Sequence, residues 1–76
     1  MKTLQELLDE IRKHGYSVAV HNDYYVKGEF FTFWLFTHNK TKIYVKGEGK
    51  TDKEALQICL NEINNFTSRL LKNMDL

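Results

Sequence analysis

Three histidines (His14, His21, His38) and a single cysteine (Cys59) are the residues of this 76-residue chain most able to bind a metal or act as base or nucleophile. Zinc sites bring their donors in closely spaced pairs, because one turn or one helix face must aim both at the ion. None of these four stands at such spacing. His14 reads as a cation at a helix end and Cys59 as a small core residue. No Ser-His-Asp set can be assigned, and Asp9, Glu10 and Glu62 fall on expected helices with no second carboxylate required to converge on them. Gly49-Lys50-Thr51 precedes a helix, but a phosphate-cradling loop also needs a glycine five residues earlier, where this chain has Tyr44. What remains is the anion affinity of any helix start, with Lys50, Thr51 and Lys53 at hand. The expectation is no enzyme, no metal and no cofactor.

The elements that would position a binding site are clearer. Thr3-Leu4-Gln5-Glu6 is a capping-box pattern, and Leu4, Leu7, Leu8 and Ile11 follow on one helical stripe up to about His14, with Gly15 as the stop. Tyr16 to His21 alternates as a first strand. Asn22-Asp23 and Lys27-Gly28 both fit the turn that follows it. The second strand, Glu29 to His38, holds four of the five phenylalanines and the only tryptophan. Both of its sides are apolar: Phe31, Phe33 and Leu35 on one, Phe30, Trp34 and Phe36 on the other. Lys42 to Lys46 reads as the third strand, with Ile43 and Val45 inward and Lys42, Tyr44 and Lys46 outward. Thr51-Asp52-Lys53-Glu54 is a second capping box. It opens a helix from Asp52 to about Lys72, whose stripe is Ala55, Leu56, Cys59, Leu60, Ile63, Phe66 and Leu70. Its last two turns are expected to overhang the sheet, and residues 74–76 to fray.

The order α-β-β-β-α with short connections predicts a single α+β domain over residues 1–76: a three-stranded antiparallel meander with both helices on one face. Phe31, Phe33 and Leu35 are assigned to the helices. The open face then carries Phe30, Trp34 and Phe36, with Tyr44, Lys42 and Lys46 alongside. Three readings compete for those aromatics: cover by the chain itself, an interface with a partner protein or second copy, or stacking of nucleic-acid bases. The charge balance bears on this choice. Eleven basic and ten acidic residues leave a net charge of +1, so no global field favours nucleic acid or membrane. The segment from Lys40 to Lys53 is the exception, at net +3. One unpaired cysteine, no signal-peptide run and no apolar span point to the cytoplasm.

Two family resemblances accompany these patterns. Val45 to Ala55 (Val-Lys-Gly-Glu-Gly-Lys-Thr-Asp-Lys-Glu-Ala), in an α-β-β-β-α chain, resembles the third strand and second-helix start of double-stranded-RNA-binding domains. The family's phosphate-gripping positions fall on Asp52, Lys53 and Leu56, of which one is basic, and His21 lies only near the place of its loop histidine. Leu4 to Tyr16, with Arg12-Lys13-His14-Gly15-Tyr16, is similar to the first helix and turn of HicA-type toxins. Their catalytic Gly-Ser-His is replaced by Ala19-Val20-His21, so RNA cleavage does not carry over. The Gly49 to Leu56 segment is also similar to a helix start in small phage and prophage proteins, some anti-CRISPR inhibitors among them. The resulting expectation is a non-enzymatic interaction module of phage or mobile-element type. It would bind a partner protein or itself as a dimer, without membrane or small molecule. The alternative is a nucleic-acid-binding domain. The residues expected to bind are Phe30, Trp34, Phe36, Lys42, Tyr44, Lys46, Lys50 and Lys53.

Overall fold

Five elements follow in the order α1 (Leu4–Lys13), β1 (Tyr16–Val26), β2 (Glu29–His38), β3 (Tyr44–Gly49) and α2 (Asp52–Met74). The computed structural model describes residues 2–74, with side chains through Phe66. The expected positions Leu70, Asp75 and Leu76 lie outside that description. The strands form one antiparallel sheet in the order β1-β2-β3. The α+β meander therefore stands as expected.

Both helix starts follow the capping logic. At α1 the Thr3 hydroxyl accepts from the Glu6 amide and the Glu6 carboxylate accepts from the Thr3 amide, completing the box. At α2 the Thr51 hydroxyl accepts from the Glu54 amide, but the Glu54 carboxylate reaches one residue further back, to the Lys50 amide. Helix α2 runs to Met74, two residues beyond expectation and through a position expected to fray.

The strands differ from the sequence reading in three ways. First, β1 continues through Asn22-Asp23 to Val26, and the turn is Lys27-Gly28. Both turn residues have positive φ, 51° and 80°. That is the conformation that lets a two-residue hairpin match the strand twist. Second, β3 begins at Tyr44. Lys42 has φ 63° and closes the preceding loop, and Ile43 is exposed instead of sitting in the core. Third, the two sides of β2 are exchanged. Thr32, Trp34 and Phe36 are buried under the helices, while Phe31, Phe33 and Leu35 are half-buried on the side away from them.

Register explains the exchange. Val45 was expected to face the core and does, and it pairs with Phe36. Paired residues of an antiparallel sheet share a face, so Phe36 and Trp34 follow it inward. Trp34 and Thr32 pair with Gly47 and Gly49. These glycines leave room for α2: a Cβ on Gly47 would stand 2.1 Å from the Ala55 carbonyl oxygen. The core between helices and sheet consists of Leu7, Ile11, Tyr16, Trp34, Phe36, Val45, Ala55, Leu56, Cys59, Leu60 and Ile63.

Candidate functional site

The sheet face away from the helices has no covering element among the described residues. Its centre is Phe31, Phe33 and Leu35 of β2. Register places Tyr24, Asn22 and Val20 of β1 beside them, and Glu48, Lys46 and Tyr44 of β3 on the other flank. Val20 and Tyr44 are 43% and 65% exposed. The rings of Tyr24 and Phe31 stack at 5.7 Å. Tyr24 is also near the Glu48 carboxylate, which as hydrogen-bond acceptor and as charge raises the phenol above its ordinary value. The patch is thus an apolar aromatic centre with Lys46 and Glu48 on its β3 rim and Glu29 at its hairpin end.

The expected binding residues do not all meet there. Tyr44 and Lys46 do. Trp34 and Phe36 are 8% and 0% exposed beneath the helices and cannot form an open face. Phe30 shares their side of β2 but lies on the hairpin arm, beyond the last β2–β3 pair at Thr32 and Gly49. It is exposed there, edge-to-face with Tyr25. Lys42 is in the loop before β3 and Lys50 in the turn before α2. Lys53 lines a groove of about 490 Å³ between the helices, with Lys2, Leu7, Glu54, Gln57 and Ile58. The lysines of the +3 segment are therefore dispersed, and the open face offers a nucleic-acid backbone Lys46 beside Glu48.

On the helix-covered side, at the edge of the sheet, three side chains converge that the sequence reading, which expected no metal, did not bring together. His21 and Asp23 stand two apart on β1 and so point the same way. They pair with Trp34 and Thr32. Asp52, the first residue of α2, completes the group: the donor atoms of His21, Asp23 and Asp52 lie within 4.8 Å of one another. The Asp52 Oδ1 accepts from Trp34 Nε1 at 3.0 Å and from the buried Thr32 hydroxyl at 3.1 Å. The His21 ring stacks on Trp34 at 3.8 Å and 15°. Its Nε2 is 3.4 Å from Asp23 Oδ1 and 3.6 Å from Asp52 Oδ1. The available signal was the alternation His-x-Asp within a strand. It was hidden because Asn22-Asp23 also fits a turn.

The other histidines and the cysteine have structural partners. His14 caps α1. His38 Nδ1 accepts from the Lys40 and Thr41 amides, and its ring packs edge-on to Tyr16. Cys59 is fully buried with its thiol 3.7 Å from the Trp34 carbonyl oxygen, and burial pushes the thiol up to about 12. Comparison with protein-family models, with curated proteins and with solved structures gives no match. No helix among the described residues is long and apolar enough to cross a membrane.

Proposed function

We propose that this protein is a non-enzymatic binding module that self-associates through the open sheet face. The observation that carries the reading is the placement of Phe31, Phe33 and Leu35 on a face that no helix covers. A continuous aromatic surface of this kind is costly to leave in water and marks an interaction site. The occupant that fits best is a second copy of the chain. Lys46 and Glu48 flank the apolar centre on the same strand, so the β3 rim carries one charge of each sign. A two-fold axis through the face brings apolar centre onto apolar centre and each Lys46 toward the other copy's Glu48, the self-complementarity that such an interface requires. A polyanion gains little from the same rim, because one lysine beside one carboxylate gives no row of phosphate contacts.

Sedimentation equilibrium of the full chain over a concentration series tests this. The expected result is a concentration-dependent dimer that Phe33→Asp abolishes and Lys46→Glu weakens, with both variants retaining the wild-type far-ultraviolet circular dichroism. Lys46 is exposed, so that second variant removes the rim complementarity without entering the core. A wild-type chain that stays monomeric into the millimolar range, or a dimer indifferent to both changes, overturns the proposal.

A further inference from the structure

We propose that His21, Asp23 and Asp52 form a binding site for a divalent transition-metal ion of the zinc class, on the opposite side of the sheet from the docking face. The donor set is one imidazole nitrogen and two carboxylates, the mixed nitrogen and oxygen set that borderline ions take and that a three-ligand zinc site uses with water in the open position. The spacing carries the argument further than the residue types do. Separations of 3.4 Å and 3.6 Å from His21 Nε2 to the two carboxylate oxygens are longer than normal N–H···O hydrogen bonds. They match instead the two imidazole edges of a tetrahedron about an ion with bonds of ~2.0–2.2 Å, which come to roughly 3.3–3.6 Å. An octahedral magnesium ion with bonds of ~2.0–2.1 Å needs edges nearer 2.9 Å and prefers oxygen. Calcium also takes oxygen in preference to imidazole.

Each donor is held by something other than the ion. Strand alternation sets His21 and Asp23 on one side, and the Trp34 ring fixes the plane of the imidazole. The hydrogen bonds from Thr32 and Trp34, both to Asp52 Oδ1, hold that carboxylate in place without an ion. The site is open to solvent: the side chains of His21, Asp23 and Asp52 are 39%, 53% and 41% exposed. Ion entry needs no unfolding, and water can complete the coordination. The positive end of α2 opposes a cation here, but its half charge is outweighed by two full carboxylate charges. The rival arrangement is an imidazolium attracted to the same two carboxylates with no ion between them.

Trp34 is the only tryptophan and stacks on a proposed ligand, so the chain carries its own reporter. Metal-free protein is titrated with zinc chloride by calorimetry, and with cobalt chloride while Trp34 emission and visible absorption are followed. The expected result is one saturable equivalent of zinc, quenching of Trp34 by cobalt and the visible bands of a low-coordinate cobalt site. Magnesium binds more weakly. Asp23→Asn, a change at an exposed position, raises the zinc midpoint at least about tenfold. His21→Gln abolishes uptake and His14→Gln leaves it unchanged. Zinc raises the melting temperature of wild type and not of Asp23→Asn. Absence of saturable uptake overturns the site in favour of the imidazolium pair. So does uptake that Asp23→Asn and His21→Gln leave intact.

Discussion

At Gly47 β3 and α2 approach closely, and replacing it with alanine gives a direct measure of how that contact holds the fold. A Cβ at this position would lie 2.1 Å from the Ala55 carbonyl oxygen and 2.8 Å from Cys59 Sγ. Both distances are below the 3.0 Å that real Cβ contacts essentially never breach, and the nearer atom is backbone. A side-chain rotation cannot relieve it. Helix α2 must move by about 0.9 Å to bring the 2.1 Å approach out to 3.0 Å. That helix is seated by Ala55, Leu56, Cys59, Leu60 and Ile63, all buried, so the movement loosens the whole interface. Overpacking in a filled core costs ~1–3 kcal/mol, and a backbone collision belongs at the upper end. A domain of this size has a total stability of roughly 4–11 kcal/mol. The Gly47→Ala variant should therefore lose about 3 kcal/mol, lowering the melting temperature by roughly 12–24 °C at ~4–8 °C per kcal/mol. Urea unfolding followed by Trp34 emission reads the change, with Gly28→Ala as the companion variant. A loss under about 0.5 kcal/mol at Gly47 would refute the close packing of α2 on β3 and with it the assignment of the helix-covered face.

The companion variant has its own expectation. Gly28 has φ +80° with nothing within 4 Å of an added Cβ, so Gly28→Ala should cost only the ~1–2 kcal/mol of the left-handed conformation, read by the same urea series. Cys59 should resist thiol reagents in the native chain and react promptly once unfolded, because it is fully buried and its thiol is pushed up to about 12. Labelling at pH 8 that is as fast without urea as with it contradicts this. Bonds from the Thr3 amide and hydroxyl hold the Glu6 carboxyl below its ordinary value. A depressed carboxyl adds stability above the unfolded carboxylate range and loses it as pH falls through the folded value. The melting-temperature gap between wild type and Glu6→Gln should accordingly be present at pH 7 and close on acidification below about pH 4. Replacing Phe31 and Phe33 together by threonine, which keeps strand propensity, should leave a folded chain that no longer self-associates. Loss of the cooperative transition would instead make these rings part of the fold.

Much of the fold is written in local signals. The two capping boxes, the stripe from Leu4 to Ile11 and that from Ala55 to Ile63 specify where the helices start and which side they bury. The side of β2 is not local. Glu29 to His38 is apolar at both parities, so alternation names two sets of residues and not which set is inside. The choice is made 9 to 17 residues downstream by Val45, Gly47 and Gly49, through a register that no single strand encodes. The His21-Asp23-Asp52 group was illegible for the same reason. It spans two elements 29 residues apart, and one of its three members, Asp23, sat in a segment that could equally be a turn.

The two faces of the sheet therefore differ in what the fold demands of them. On the helix-covered side every large residue of β2 from Thr32 to Phe36 has an assigned role. Phe36 fills the core, Trp34 fills it and bonds Asp52, and Thr32 is buried with its hydroxyl satisfied by the same carboxylate. On the other side the flanking strands supply Asn22, Lys46 and Glu48 but also Val20, Tyr24 and Tyr44, so the apolar surface extends beyond the β2 centre. A face selected only for solubility would carry threonine or a charge at Phe31 and Phe33, as it carries Lys46 and Glu48 on β3. The helix-side core lies across the sheet from these rings and does not include them. That apolar surface on an uncovered face is the physical reason for proposing it as a recognition surface. It also separates the two proposals: a change at Phe33 leaves His21, Asp23 and Asp52 untouched, and a change at Asp23 leaves the aromatic centre in place.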